Sequence, residues 1–159
     1  MISKEDLHGS WQLESWTVGY SDRDDFTYPY GEDPQGLLLY TTDGWMSASI
    51  ARKERAVLPE DVSFRKLPDA TKAEAFSSYF HYAGRYRVVD GDVIHFVSQS
   101  LNPNFPGTEQ LRHAELDGQT LVLTAIRTSE RPIWTDWPRK ECFSLMPSPR
   151  HRSAVRHAV

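Results

Sequence analysis

Three Asp-Gly dipeptides, at 43–44, 90–91 and 117–118, each stand between runs that are apolar or that alternate apolar with polar. Few short signals restrict a chain more. A tight hairpin turn needs backbone with φ > 0, which Gly adopts freely and Asp tolerates. Asp-Gly between such runs therefore predicts two antiparallel strands joined by two residues. Because side chains alternate across a strand, each turn also decides which residues share a face.

The middle turn gives the sharpest reading. Two residues at Asp90-Gly91 pair Val89 with Asp92, Val88 with Val93, and Tyr86 with His95. One face then carries Gly84, Tyr86, Val88, Val93, His95, Val97 and Gln99, and the other carries Arg85, Arg87, Val89, Asp92, Ile94, Phe96 and Ser98. Burying two arginines costs more than exposing Ile94 and Phe96, so Tyr86 and His95 are expected inside. At Asp117-Gly118, pairing Leu116 with Gln119 sets Arg112 opposite Leu123. It groups Gln110, Arg112, Ala114, Leu121, Leu123 and Ala125 on the more apolar face, so Arg112 is expected inside too. The loop from Leu101 to Gly107 leaves the register between these two hairpins open. At Asp43-Gly44 the strands read as 37–42 and 45–50, with an ambiguous inward face. Leu37, Leu39, Met46, Ala48 and Ile50 form the more apolar set; Leu38, Tyr40, Trp45, Ser47 and Ser49 form the other.

The remaining segments fit around these hairpins. Ser3, with Asp6 three places on, predicts a capped helix of about one turn. Trp11 to Val18 alternates and predicts a strand with Trp11, Leu13 and Ser15 on one face. Residues 21–36, rich in Asp, Pro and Gly, read as a loop. Residues 69–80 are the best helix candidate, with Asp69 as N-cap and aromatics at 76, 79 and 80 on one side. A last strand is expected within Trp134 to Met146. Several antiparallel strands and one short helix predict an all-β barrel or sandwich, with the helix capping or flanking it. One domain over 1–146 accounts for the length, and 147–159 reads as a polar, basic, disordered tail.

Composition removes several classes of function. The net charge of −4 argues against a nucleic-acid partner. A single cysteine, Cys142, permits no internal disulfide, which together with the absence of a signal-like N-terminus predicts a cytoplasmic protein. No apolar run is long enough to span a membrane. The six histidines show no metal-binding spacing, and neither a nucleophile elbow nor a phosphate-binding glycine loop is present. No metal or cofactor is expected, and a homodimer stays open.

The chemistry then rests on His95, Arg112 and Tyr86 as candidate catalytic residues. A neutral imidazole in an apolar cup can act as a general base, an inward arginine can hold an anionic group, and a tyrosine can donate to a carbonyl. The same three also suit a buried polar network that holds a barrel in register. Candidate ligand contacts are Tyr40, Trp45, Tyr79, Tyr82, Val97, Phe105, Leu123 and Trp134. For the aromatics, ordinary packing is the competing reading.

Several pieces of the chain together resemble the lipocalin-like domain proteins of bacteria and fungi. They are Leu7-His8-Gly9-Ser10-Trp11-Gln12-Leu13, Gly36 to Ser47, Tyr82-Ala83-Gly84-Arg85-Tyr86, Val93-Ile94-His95, and Asn102 to Thr108 with Arg112. The resemblance implies a lipocalin-like, calycin-type antiparallel β-barrel whose interior forms a cup. It also implies that Trp11 packs under a late arginine to close the base, for which Arg139 is the candidate. Such barrels include both carriers and cofactor-free enzymes. The expectation is a small, mainly apolar guest, aromatic or anionic in part, bound inside the barrel. The alternative is a cofactor-free cyclase, isomerase or lyase with His95 as base, and a third reading is a barrel filled solid by its own aromatics.

Overall fold

The computed structural model describes residues 1–19, 26–126 and 140–147. Among these, nine strands form one antiparallel sheet: β1 (Gly9–Gly19), β2 (Phe26–Thr27), β3 (Gln35–Tyr40), β4 (Trp45–Ala51), β5 (Tyr79–Val89), β6 (Asp92–Ser100), β7 (Glu109–Asp117), β8 (Thr120–Ile126) and β9 (Lys140–Pro147). From β3 to β9 each strand pairs with its successor. β1 pairs with both β3 and β9, so the sheet closes on itself and the barrel expectation holds over the sandwich. The two-residue β2 lies beside the far end of β1, outside the ring. Closure removes the exposed edges on which an open sheet would aggregate.

The three Asp-Gly sites give three different hairpins. At Asp90-Gly91 both turn residues have positive φ (54° and 90°), and the predicted pairs Val89–Asp92, Val88–Val93 and Tyr86–His95 all form. At the third site the loop is Gly118-Gln119 instead, with Asp117 opposite Thr120. That moves every pair by two residues, so Ala114 rather than Arg112 faces Leu123, and the faces stay as predicted. At the first site the loop has three residues. Tyr40 pairs with Met46, Thr41 N donates to Trp45 O at 2.8 Å, and Gly44 N donates to Thr41 O at 3.1 Å. The cause is Thr41, whose hydroxyl accepts from Trp45 N at 2.9 Å. One extra loop residue mixes the two predicted sets: Leu38, Tyr40, Met46 and Ile50 are buried, while Leu37 and Trp45 are exposed.

Two other expectations need correction. β1 buries Trp11 and Leu13 but then Trp16 and Val18, because a bulge between Leu13 and Ser15 against β9 reverses the alternation. The helix α2 (Asp69–Ser77) stops short of Tyr79 and Phe80, and Pro68 rather than Asp69 holds the cap position. Strand pairing wins there: Tyr79 and Phe80 open β5, opposite Ala51 and Ile50 of β4. At the N-terminus, α1 (Lys4–Leu7) forms with the Ser3–Asp6 capping box complete. It plugs one end of the barrel with Leu7, whose carbonyl accepts from Trp11 Nε1 at 2.8 Å. Arg139, the expected partner beneath Trp11, lies outside the described residues. The core runs through the barrel along Trp11, Leu38, Tyr40, Tyr82, Val93, Leu121, Leu123 and Leu145.

Candidate functional site

The register across the 101–108 loop decides whether His95 and Arg112 meet. Gly107 N donates to Val97 O at 2.8 Å and Val97 N donates to Thr108 O at 3.0 Å, which pins the loop. Val93 then pairs with Arg112 and His95 with Gln110, so Arg112 lies diagonally beside His95 on the inner face. Both are buried, at 0% and 5% exposure.

His95 is held at both ring nitrogens. Tyr40 Oη is 2.7 Å from Nε2 and Tyr82 Oη is 2.9 Å from Nδ1. A neutral imidazole has one N–H and one lone pair, so one tyrosine donates and the other accepts. Burial first, and the Arg112 charge second, hold the His95 pKa well below the ordinary histidine range. Burial also pushes the Tyr40 phenol well above its usual value. The imidazole and the Tyr40 phenol are thus neutral at pH 7, and with Tyr82 the rings form one hydrogen-bonded unit. Arg112 Nη1 donates to Leu111 O at 3.0 Å.

This unit opens on one side into a cavity between the strands. Leu13, Leu37, Leu38, Ala48, Ser49, Ile50, Leu123 and Leu145 line it, together with Tyr82, His95 and Arg112. Its own volume is about 20 Å³, room for about one water, and the empty space reaches about 330 Å³ only when the open solvent beside it is counted in. The walls are mainly apolar, and Tyr82, His95 and Arg112 are among the residues that bound it.

Of the sequence-derived candidates, His95, Arg112, Tyr82 and Leu123 come together at this cavity. Tyr40 stands behind His95 as its hydrogen-bond partner. Tyr86 is inward but sits toward the plugged end, where it packs on Tyr40 (centroids 4.6 Å apart) and donates to Thr41 O at 3.0 Å. It does not touch His95 as a donor or line the cavity. Trp45 is 42% exposed on the outer face, with the Arg85 guanidinium 4.0 Å from its ring centroid, because the three-residue loop turned it outward. Tyr79 likewise lies away from the cavity, beneath Arg55. Val97 is core, and Phe105 packs edge-on against Phe80 and Tyr82 at 5.6 and 6.3 Å without reaching the cavity wall. Trp134 lies outside the described residues. The wall residues Leu13, Leu38, Ile50 and Leu145 were not among the candidates. Their only signal in the sequence is strand alternation, which marks a core residue and a cavity wall alike.

A closed antiparallel sheet around a buried polar unit and an apolar cavity defines a class: small β-barrels of the cup type. The model of the lipocalin-like domain family matches residues 8–137, and the chain belongs to that family. Among solved structures, a lipocalin-like protein from Bacteroides uniformis is similar, with 14% identity and a TM-score of 0.46, covering 90% of this chain and 99% of that one. A search of curated proteins found no match. Among the described residues, no helix is long and apolar enough to cross a membrane.

Proposed function

We propose that the barrel binds a small, mainly apolar molecule that carries a polar or anionic end. The apolar part lies against Leu13, Leu38, Ile50, Leu123 and Leu145, and the polar end meets Arg112 and the Tyr82 hydroxyl, which His95 holds from behind. The observation that carries this reading is the cavity itself, with apolar walls on which the polar groups converge. The reading of a cofactor-free isomerase, cyclase or lyase is less well supported. A base needs an available lone pair, and both nitrogens of His95 are engaged by tyrosines in a setting that disfavours the protonated ring.

The test uses 1-anilinonaphthalene-8-sulfonate, which joins a flat apolar body to an anionic group. Wild-type protein is expected to bind it with enhanced dye fluorescence. Arg112→Met, checked for folding by circular dichroism, is expected to weaken binding by about tenfold or more, the size of one charge-assisted contact. Equal binding by both proteins would remove Arg112 from the site, and no binding by the wild type would remove the reading. Native mass spectrometry of the freshly purified protein then looks for the natural guest.

A further inference from the structure

We propose that the chain pairs with a second copy of itself through the outer face of β5, β6 and β7, about a two-fold axis that runs along β6. The strand registers lay out two outward rows on this face. Trp45, Arg85, Phe96 and Glu109 form one, and Arg87, Ile94 and Leu111 form the next. Trp45 and Leu111 are each 42% exposed; Arg85, Arg87 and Glu109 are exposed, and Ile94 and Phe96 are half-buried. Phe96 and Ile94 thus make an apolar strip along β6, with two cations on the β5 side and a carboxylate on the β7 side.

These charges do not meet one another within the chain. The Arg85 guanidinium lies over the Trp45 ring, 4.0 Å from its centroid and on the side away from Glu109, and donates to Asp43 O at 2.8 Å. Arg87 lies over Phe96, 5.1 Å from its ring centroid. Phe96 stands between Arg85 and Glu109, whose strands are about 10 Å apart. Among the described residues, none of Arg85, Arg87 and Glu109 has an ion-pair partner.

A second copy supplies the missing partners. A two-fold axis parallel to β6 exchanges the two sides of the face and keeps the level along the strand, so each β5 faces the other copy's β7. Arg85 then meets Glu109, twice by symmetry. The stem of Arg87 lies on Leu111, and Phe96 and Ile94 meet their own copies. An axis across the strands would instead set β5 on β5 and bring arginine against arginine, so the charge pattern selects the first axis. Asp92, the next outward residue on β6, is already paired with His113 of its own chain at 2.7 Å. Two convex barrel walls touch over few residues, so the pairing is weak, with a dissociation constant on the order of micromolar.

The test is sedimentation velocity of the full chain from about 1 to 300 µM, where the wild type is expected to pass from monomer to dimer. Arg85→Glu and Glu109→Arg each set like charges against one another in both contacts, and each is expected to weaken dimerisation at least about tenfold. Both positions are exposed, so both variants are expected to fold, which circular dichroism checks. Mixed in equal amounts, the two variants are expected to regain the wild-type affinity. In the mixed pair one contact is native and the other has both charges reversed, so both attract. The proposal is overturned if the wild type stays monomeric to the highest concentration, if the single variants dimerise as the wild type does, or if the mixture regains nothing.

Discussion

His95 has no exposed surface and meets a tyrosine at each ring nitrogen, so its proton affinity differs sharply between folded and unfolded chains. Unfolded, it takes a proton as the pH falls through about 6.5; folded, burial and then Arg112 postpone this to much lower pH. Below about 6.5 the unfolded state therefore binds more protons, and folding stability is lost as the pH falls. The limiting slope is about 1.4 kcal/mol per pH unit, one proton's worth. His113 acts in the opposite sense. Its hydrogen bond to Asp92 raises its pKa, so its contribution is present at low pH and lost as the pH rises, but it is exposed and screened by solvent. Urea unfolding between pH 7 and 5.5 is expected to show a falling midpoint for the wild type and a flatter profile for His95→Gln. A wild-type midpoint that holds steady or climbs on acidification would contradict a neutral, buried His95.

At the scale of the element, the β5–β6 hairpin shows how close two backbones come. The register shifts between Ala83 and Gly84, and a Cβ on Gly84 would lie 1.9 Å from Phe96 O, a backbone atom that cannot swing aside. Gly84→Ala is expected to destabilise the fold by more than about 3 kcal/mol or to prevent folding, by overpacking of a site with no slack. At Gly107 the added methyl meets nothing within 4 Å, so Gly107→Ala is expected to cost only the strain of its positive φ, on the order of 1 kcal/mol. Denaturant midpoints of the two variants measure the contrast. This hairpin is also where sequence reads most reliably, since Asp90 and Gly91 both take the backbone that a two-residue turn demands. The third hairpin slips by two residues, and an even slip keeps Arg112 on its predicted side. The first slips by one because Thr41 caps Trp45 N, and an odd slip sends Tyr40 inward and Trp45 outward. Two further facts have no local signature. The β6–β7 register depends on loop hydrogen bonds around Thr108, and the partners of His95 come from two other strands, 55 and 13 residues away.

For the whole molecule, the decisive ladder is the one between β1 and β9. It joins Trp11 to Pro147 and Gly19 to Lys140, residues from opposite ends of the chain. Pairing so distant in sequence is slow to form, and folding on the scale of milliseconds to seconds is expected for such a topology. The same ladder has a second consequence. Because Trp11 and Pro147 lie side by side, the chain can be re-joined there and opened elsewhere. A circular permutant cut between Gly118 and Gln119, both exposed, with a flexible linker of about eight residues from Pro147 to Ser3, keeps every strand pair of the ring. It is expected to fold to the same near-ultraviolet circular dichroism spectrum as the original order, and a molten or insoluble product would mean that synthesis order matters. A ring has no first strand; which of its staves is made first belongs to the gene and not to the barrel.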